Sequence, residues 1–136
     1  MDLEILRIAS NTENQKTLNN RTHSSMKKNP VCGDEMKISL KVEKNKIIEF
    51  GYECKSCIYC QASVSLLSRK SINKPISSIN DLMGFVEKFF DKNENLDFPK
   101  EWTVFNKLFN KKNFARKECL LLPFKTLSKA LKNSNG

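Results

Sequence analysis

The sequence predicts a single α+β domain in which a small three-stranded antiparallel sheet is packed by helices. Alternating apolar and polar residues between about 36 and 52 are typical of strands, and apolar residues at helical spacing fill most of the chain after residue 58. Strands that precede helices, rather than alternating with them, favour α+β over a parallel α/β fold. At 136 residues the chain has the length of one domain, so we expect one domain over 1–136, with a partly flexible N-terminal segment at 1–28.

The strand region follows a predicted short helix at 3–9 and a polar segment with one edge strand at about 22–27. Residues 36–42 alternate between apolar and polar side chains, which indicates a half-buried strand. Polar residues 43–46 form the predicted turn, and residues 47–52 form the returning strand. These three strands make up the predicted sheet.

Four helices are predicted in the second half of the chain, at about 58–69, 78–91, 101–109 and 116–132. Ser78 is the predicted N-cap of the second helix, because its hydroxyl can accept a hydrogen bond from a free backbone N–H. Pro123 either kinks the last helix or lies in its first turn, and the sequence leaves both open. The aromatic residues of the second and third helices recur at helical spacing, so we expect them in the core or in a groove.

Composition and charge exclude several classes of protein. Hydrophobic residues make up 39% of the chain and charged residues 29%, which excludes a fully disordered chain. No apolar run approaches the roughly 18–20 residues of a transmembrane helix, and no secretory signal is visible, so we expect a cytoplasmic protein without membrane association. The 24 Lys and Arg residues exceed the 15 Asp and Glu residues, giving a net charge of +9. This charge permits nucleic-acid binding, but the lysines are scattered and form no basic stripe.

The sequence has five cysteines, at positions 32, 54, 57, 60 and 119, and they are its main indication of function. An odd number of cysteines in a reducing compartment argues against a disulfide framework. It favours metal binding or thiol chemistry instead. The function prediction depends on this inference.

Two short motifs could bring thiolates to one ion. In the motif Asn-Pro-Val-Cys-Gly-Asp, Gly33 frees the backbone between Cys32 and Asp34, so both side chains can turn toward one point. At a predicted helix start, Cys57 and Cys60 are three residues apart and share one face. The positive end of the helix dipole there favours their thiolates.

The cysteine spacing excludes two common metal motifs. A ferredoxin cluster run needs a fourth cysteine followed by proline, but Val64 and Ser65 occupy those positions. A zinc ribbon needs a second Cys-x-x-Cys pair, but only Cys119 lies downstream. Cys119 follows Arg116 and Lys117 near a predicted helix start, which would activate its thiol.

The residues that remain as metal ligands are Cys32, Asp34, Cys119 and one of Cys57 or Cys60. Three thiolates and a carboxylate suit a tetrahedral zinc ion with Zn–S bonds of about 2.3 Å. We therefore expect these residues to converge at one exposed end of the domain.

The order of the motifs resembles the NifU/IscU/SufU family of iron–sulfur cluster assembly scaffolds. Asn-Pro-x-Cys-Gly-Asp is followed by a strand hairpin, by Cys-x-x-Cys-Gln-Ala-Ser-Val-Ser-Leu-Leu beginning at Cys57, and by Ala-Arg-x-x-Cys ending at Cys119. The resemblance covers about residues 29–131 and implies a SufE/IscU-like fold. The long helical segment between the last two motifs is similar to the SufU-like branch.

The residues that match the family's metal ligands are Cys32, Asp34, Cys57 and Cys119. The resemblance implies that they bind zinc in the resting state, or iron, and that they hold a transient [2Fe-2S] cluster. Cys57 is preferred to Cys60 because the Ala-Ser pair at 62–63 lies where the family's Ala-Ser follows its second cysteine. Cys60 stays a secondary candidate, as a spare thiol one helical turn away.

The resemblance also implies which residues take part in sulfur transfer. In the SufU-like branch Cys32 would accept sulfur after its release from zinc, and in the IscU branch the equivalent of Cys119 would accept it. Arg116 would assist the sulfur-bearing site. Glu118 departs from the family pattern, which has His or Lys there, and Cys54 is interpreted as a filler at a strand end.

We therefore predict an iron–sulfur cluster assembly protein that accepts persulfide sulfur from a cysteine desulfurase. It would then scaffold a transient cluster or relay the sulfur to downstream apo iron–sulfur proteins or carriers, and whether it is a scaffold or a zinc-dependent sulfurtransferase stays open. The alternative is a basic nucleic-acid-binding module with a structural zinc, for which steep salt dependence of binding is expected. A third hypothesis, a purely structural zinc domain, predicts unfolding on metal removal.

Overall fold

Helices pack on one face of an antiparallel sheet in the computed structural model, which describes residues 3–30, 32–92 and 97–133. The helices are α1 (Leu3–Ala9), α2 (Ile58–Ser71), α3 (Ile76–Lys92) and α4 (Lys117–Leu131). The strands are β1 (His23–Lys28), β2 (Glu35–Glu43), β3 (Lys46–Lys55) and β4 (Lys74–Pro75). Two 3-10 helices, Lys100–Lys107 and Lys111–Arg116, lie between α3 and α4. The predicted α+β class is confirmed.

The sheet has its strands in the order β1-β2-β3-β4, with every neighbouring pair antiparallel. Three strands were predicted, and β4 is the addition. It has two residues and pairs with the start of β3, which is too short for a recognisable alternation of side chains. On β2 the predicted alternation holds, because Met36, Ile38 and Leu40 are fully buried while Lys37 is exposed.

The hairpin between β2 and β3 closes through the two residues Lys44 and Asn45. Both have positive φ, 51° and 62°, as a type I′ turn requires, and the twist of this turn matches that of the strands. At the opposite end of the hairpin, Glu35 pairs with Lys55. The segments just before β2 and just after β3 therefore lie at the same end of the sheet, and these are the segments that carry the first three candidate ligands.

The segment before β1 runs beside the free edge of β3. The backbone N–H of Tyr52 donates a hydrogen bond to the backbone oxygen of Asn14 at 3.0 Å, and Gln15 forms an isolated parallel bridge with Tyr52. The chain then passes close to Gly51, where a Cβ atom would lie 2.5 Å from the backbone oxygen of Lys16. Glycine at this position makes room for the crossing segment.

A buried hydrogen bond joins α2 to α4. Ser63 of α2 is fully buried, and its hydroxyl donates to the backbone oxygen of Leu120 in α4 at 2.7 Å. Buried hydroxyl groups need such partners. Because both residues lie within two turns of the start of their helices, this bond fixes the N-terminal ends of α2 and α4 relative to each other.

Replacing Ser63 by alanine is expected to lower the free energy of unfolding by about 1 kcal/mol, because the bond to Leu120 is lost. Ser71 provides the matched control on the same helix. Its hydroxyl is also buried but has no hydrogen-bond partner among the described residues, so Ser71→Ala is expected to leave stability unchanged or to raise it. Urea denaturation of the two variants tests this, and equal losses of stability would contradict the role given to the Ser63 hydroxyl.

The second and third predicted helices differ from the structure in their start or type. α3 begins at Ile76, so Ser78 lies within its first turn and is not its N-cap. The predicted helix at 101–109 is a 3-10 helix. Its buried residues Trp102 and Phe105 are three apart, which is the period of a 3-10 helix.

Pro123 is the seventh residue of α4 and lies inside the helix. It is therefore not in the first turn, which was one of the two possibilities left open by the sequence. Because proline has no N–H, the carbonyl of Cys119, four residues earlier, lacks its usual helical partner.

Aromatic side chains fill the core beside α4. The rings of Phe105 and Phe109 lie 5.6 Å and 5.5 Å from that of Phe124, and Phe98 contacts the first two at 5.8 Å and 5.6 Å. All four side chains are buried, so the prediction that the aromatic residues of the second and third helices pack in the core or in a groove is confirmed for Phe105 and Phe109. The segment between the predicted second and third helices lies partly outside the described residues.

None of the described helices combines the length and the apolar character needed to cross a membrane. The described part of the N-terminal segment includes α1, whose Ile5 is buried. The domain boundaries 1–136 and the partial flexibility of 1–28 stay predictions.

Candidate metal centre

Cys32 and Asp34 lie in the turn between β1 and β2. Two backbone hydrogen bonds close this turn, from Asn29 N–H to the oxygen of Asp34 and from Gly33 N–H to the oxygen of Asn29, both at 2.8 Å. Gly33 has a φ of +79°, which residues with a side chain rarely adopt, so glycine allows the reversal. Cys32 is exposed and Asp34 is 8% exposed. The turn thus presents a thiol at the surface with a carboxylate beneath it.

Cys57 is the N-cap residue of α2. Its backbone N–H donates to Oδ2 of Asp34 at 3.5 Å, so the Asp34 carboxylate lies at the amino end of α2. Among the described residues, this long hydrogen bond is the only one to the Asp34 carboxylate. Burying a carboxylate with one long hydrogen bond and no paired charge among these residues lowers the stability of the fold. A cation bound beside Asp34 would supply the missing opposite charge.

Cys119 lies in the first turn of α4, two residues after the helix begins at Lys117, and is 8% exposed. Its thiol lies close enough to that of Cys57 for the two groups to influence each other's ionisation. The amino end of α4, like that of α2, therefore lies against the turn that carries Asp34. Both helix dipoles place their positive ends where negative charge would collect.

Three of the predicted ligands converge. The Cys32 sulfur, a carboxylate oxygen of Asp34 and the Cys119 sulfur all lie within 4.8 Å of one another. A tetrahedral zinc ion with Zn–S bonds of about 2.3 Å needs ligand atoms roughly 3.8 Å apart, so a closure of about 1 Å would complete the fit. Cys57 contacts Cys119 without belonging to this group of three. The chemistry and spacing of the donors fit a thiophilic cation, and metal binding itself stays a prediction.

Burial raises the pKa of the Cys119 thiol above its ordinary value, and the contact with Cys57 and the negative charges of Asp34 and Cys32 raise it further. Without a cation, Cys119 is therefore protonated at neutral pH. A metal ion that binds the Cys119 sulfur must displace this proton, so affinity for the metal is expected to rise with pH.

The other two cysteines lie beside the converging group but outside it. Cys60 is in the first turn of α2 and is fully buried, and Cys54 is half-buried near the end of β3. Burial raises the pKa of both thiols, which keeps them protonated. Neutral buried thiols pack as small apolar groups. This environment favours a packing role for Cys54 and for Cys60.

Arg116 directly precedes α4, and its guanidinium carbon lies 5.3 Å from the centre of the Tyr59 ring in α2. The sequence did not single out Tyr59, because one tyrosine within a cysteine motif forms no pattern and the contact joins residues far apart in the chain. Glu118 is exposed and pairs with Lys125 at 3.5 Å. It does not belong to the group formed by the converging ligands.

The family of NifU-like N-terminal domains matches residues 2–88, which is more than half of the chain and includes Cys32, Asp34 and Cys57. The chain belongs to this family. The resemblance inferred from the motifs is thereby confirmed at the level of the NifU/IscU/SufU family. Assignment of this NifU-like chain to the SufU-like branch stays a prediction.

Relatives of this NifU-like chain align over most of its length. It is 34% identical over 129 residues to the iron-sulfur cluster assembly scaffold protein IscU of Thermotoga maritima, covering 94% of this chain and 89% of that protein. A NifU-like N-terminal protein from Brucella abortus has the same fold, with a TM-score of 0.84 at 20% identity over 96% of this chain and 91% of that one. A candidate scaffold protein for the SUF system from Fervidobacterium islandicum superposes with a TM-score of 0.85 at 23% identity over 96% of both chains.

Proposed function

We propose that this chain is an iron–sulfur cluster assembly scaffold that holds its cargo with Cys32, Asp34, Cys57 and Cys119. The observation that carries the proposal is the convergence of two thiols and a carboxylate, from separate parts of the chain, to within 4.8 Å. A carboxylate buried beside two thiols opposes folding unless a cation binds there. The name and the 34% identity of the Thermotoga maritima relative support the same function.

The four side chains suit a zinc ion in the resting state, or iron. Thiolates are soft ligands that both ions accept, and a single carboxylate is compatible with either. A divalent cation bound there supplies the positive charge that keeps the thiols deprotonated. The cargo, a transient [2Fe-2S] cluster, takes thiolate ligands of the same kind. Cys32 is the exposed member of the set, so it is the ligand that a partner protein reaches first.

The sulfur of the cluster comes from the persulfide of a cysteine desulfurase. The Cys32 thiolate attacks the outer sulfur of that persulfide, a new S–S bond forms on Cys32, and the S–S bond of the donor breaks. The donor leaves as a thiolate, so no external oxidant or reductant is needed. Cys119, whose sulfur lies within 4.8 Å of that of Cys32, is the next acceptor. In the cytoplasm, downstream apo iron–sulfur proteins or carriers receive the product.

Sulfur uptake tests this function directly. The purified chain is analysed for bound metal, mixed with a cysteine desulfurase and cysteine, separated from the donor and assayed for sulfane sulfur. About one sulfane sulfur per chain is expected on the wild type, and none on the Cys32→Ala/Cys119→Ala double variant, because the attacking thiolates are gone. Cys54→Ala is the control and should behave as the wild type does.

Retained uptake by the double variant would contradict the proposed mechanism. Absence of uptake by the wild type, together with RNA or DNA binding that weakens steeply as salt rises, would favour a nucleic-acid-binding module instead.

A further inference from the structure

The contact between Tyr59 and Arg116 joins the starts of the two helices that carry candidate ligands. Tyr59 is the second residue of α2, two after Cys57, and Arg116 lies immediately before α4, three before Cys119. The guanidinium lies over the ring at 5.3 Å, within the range of a cation–π interaction. Because Tyr59 belongs to α2, the contact holds Arg116 toward the amino end of that helix, where the candidate centre lies.

The hydrogen-bond donors of Arg116 are uncommitted. Arg116 is exposed, and among the described residues its guanidinium makes no hydrogen bond and no ion pair. A guanidinium carries five N–H donors in its plane. Stacking on an aromatic ring occupies the flat face and leaves those in-plane donors available to an anion.

The candidate centre would concentrate negative charge at Cys119, which lies three residues after Arg116 in the chain. Three thiolates and the carboxylate of Asp34 carry four negative charges, of which a divalent cation offsets two. A persulfide that arrives from a donor protein adds a further anionic sulfur as the transfer proceeds. A fixed cation nearby lowers this repulsion by attracting the negative charges.

We infer that Tyr59 is a positioning residue: its ring holds Arg116 at the edge of the candidate centre so that the guanidinium donors receive the outer sulfur of an incoming persulfide. This inference rests on the proposed function. In the step itself, the Cys32 thiolate attacks the outer sulfur and the donor departs as a thiolate, so one negative charge enters and one leaves. Arg116 neither gains nor loses a proton, and its role is to stabilise the anionic sulfur while the two S–S bonds exchange.

The inference is tested by the rate of sulfur uptake from a persulfide-loaded cysteine desulfurase. Tyr59→Leu is expected to slow uptake by about threefold, the value of an exposed cation–π contact. Tyr59→Phe keeps the ring and is expected to restore the wild-type rate. Arg116→Leu removes the donors and should slow uptake by about tenfold, as expected for hydrogen bonds to a charged group.

Three further measurements separate positioning from a general effect on folding. In the Arg116→Leu background, Tyr59→Leu is expected to have no additional effect, because the ring acts through Arg116. Phe114→Leu is the matched control: it removes a neighbouring cation–π contact, that of Lys117 at 4.3 Å, and should leave the uptake rate unchanged. The thermal midpoint of Tyr59→Leu should lie only a few degrees below that of Tyr59→Phe, because a single exposed contact is lost, so both variants are folded at the assay temperature.

Two results would overturn the inference. If the wild type takes up sulfur and Tyr59→Leu matches both Tyr59→Phe and Phe114→Leu, the positioning role is wrong while the proposed function stands. If the wild type takes up no sulfur at all, the proposed function and the inference fail together.

Discussion

Replacing Cys119 by alanine is expected to weaken Co²⁺ binding more than about 100-fold, because loss of a direct ligand should exceed the 10–100-fold cost known for residues behind the ligands. The Cys119 sulfur lies within 4.8 Å of the Cys32 sulfur and of a carboxylate oxygen of Asp34, the atoms that would share the ion. Co²⁺ is the probe because thiolate ligands give it an intense absorption band. Titration followed by competition with a chelator measures the change in affinity.

The same titration decides between Cys57 and Cys60. Cys57 contacts both Cys119 and Asp34, so Cys57→Ala is expected to weaken binding to a similar degree. Cys60 is fully buried in the core and outside the converging group, so Cys60→Ala should weaken Co²⁺ binding far less than Cys57→Ala does. Unchanged Co²⁺ affinity in Cys119→Ala would show that the converging side chains do not form the metal site.

Replacing Gly51 by alanine is expected to lower the free energy of unfolding by about 3 kcal/mol, the upper part of the range for overpacking a buried position. The new Cβ would lie 2.5 Å from the backbone oxygen of Lys16, and 3.1 Å and 3.2 Å from side-chain atoms of Ser39 and Leu18. The closest of these neighbours is main chain, so relief requires the whole crossing segment to move away from β3. Urea denaturation measures the loss.

Gly84 supplies the control for that substitution. A Cβ there would meet no atom within 4 Å, and the residue lies inside α3. Gly84→Ala should therefore stabilise the protein by about 0.5–1 kcal/mol, because alanine loses less backbone entropy in a helix. Equal stability of the two variants would mean that the segment before β1 does not pack on Gly51 in solution.

The local pattern of side chains was sufficient to predict the hairpin and the helix after it. Alternation along β2 and the polar residues that follow it are properties of neighbouring residues. By contrast, β4 and the bridge between Gln15 and Tyr52 depend on segments far apart in the chain. Because each involves only one or two residues, it produces no periodic pattern of side chains in the sequence.

The choice between Cys57 and Cys60 shows the same limit within the site. Residues three apart share a helix face, so spacing alone cannot separate them. What distinguishes them is the residue at which α2 begins: Cys57 is the N-cap, near Asp34, whereas Cys60 is inside the first turn and turned into the core. The resemblance to a family supplied that preference, and the Tyr59–Arg116 contact was visible only in three dimensions.

The proline inside α4 has a mechanical consequence for the candidate centre. The turn that carries Cys119 is tied to the rest of the helix by one backbone bond fewer, because Pro123 offers no N–H. Beyond it, Leu127 and Ala130 are fully buried and hold the remainder of α4 in place. The first turn of α4, which carries Cys119, is thus the less constrained end of the helix. It would adjust when the proposed centre binds or releases a cluster, while the buried end of the helix keeps its position. Local adjustability of this kind is what the proposed transient binding of a cluster requires.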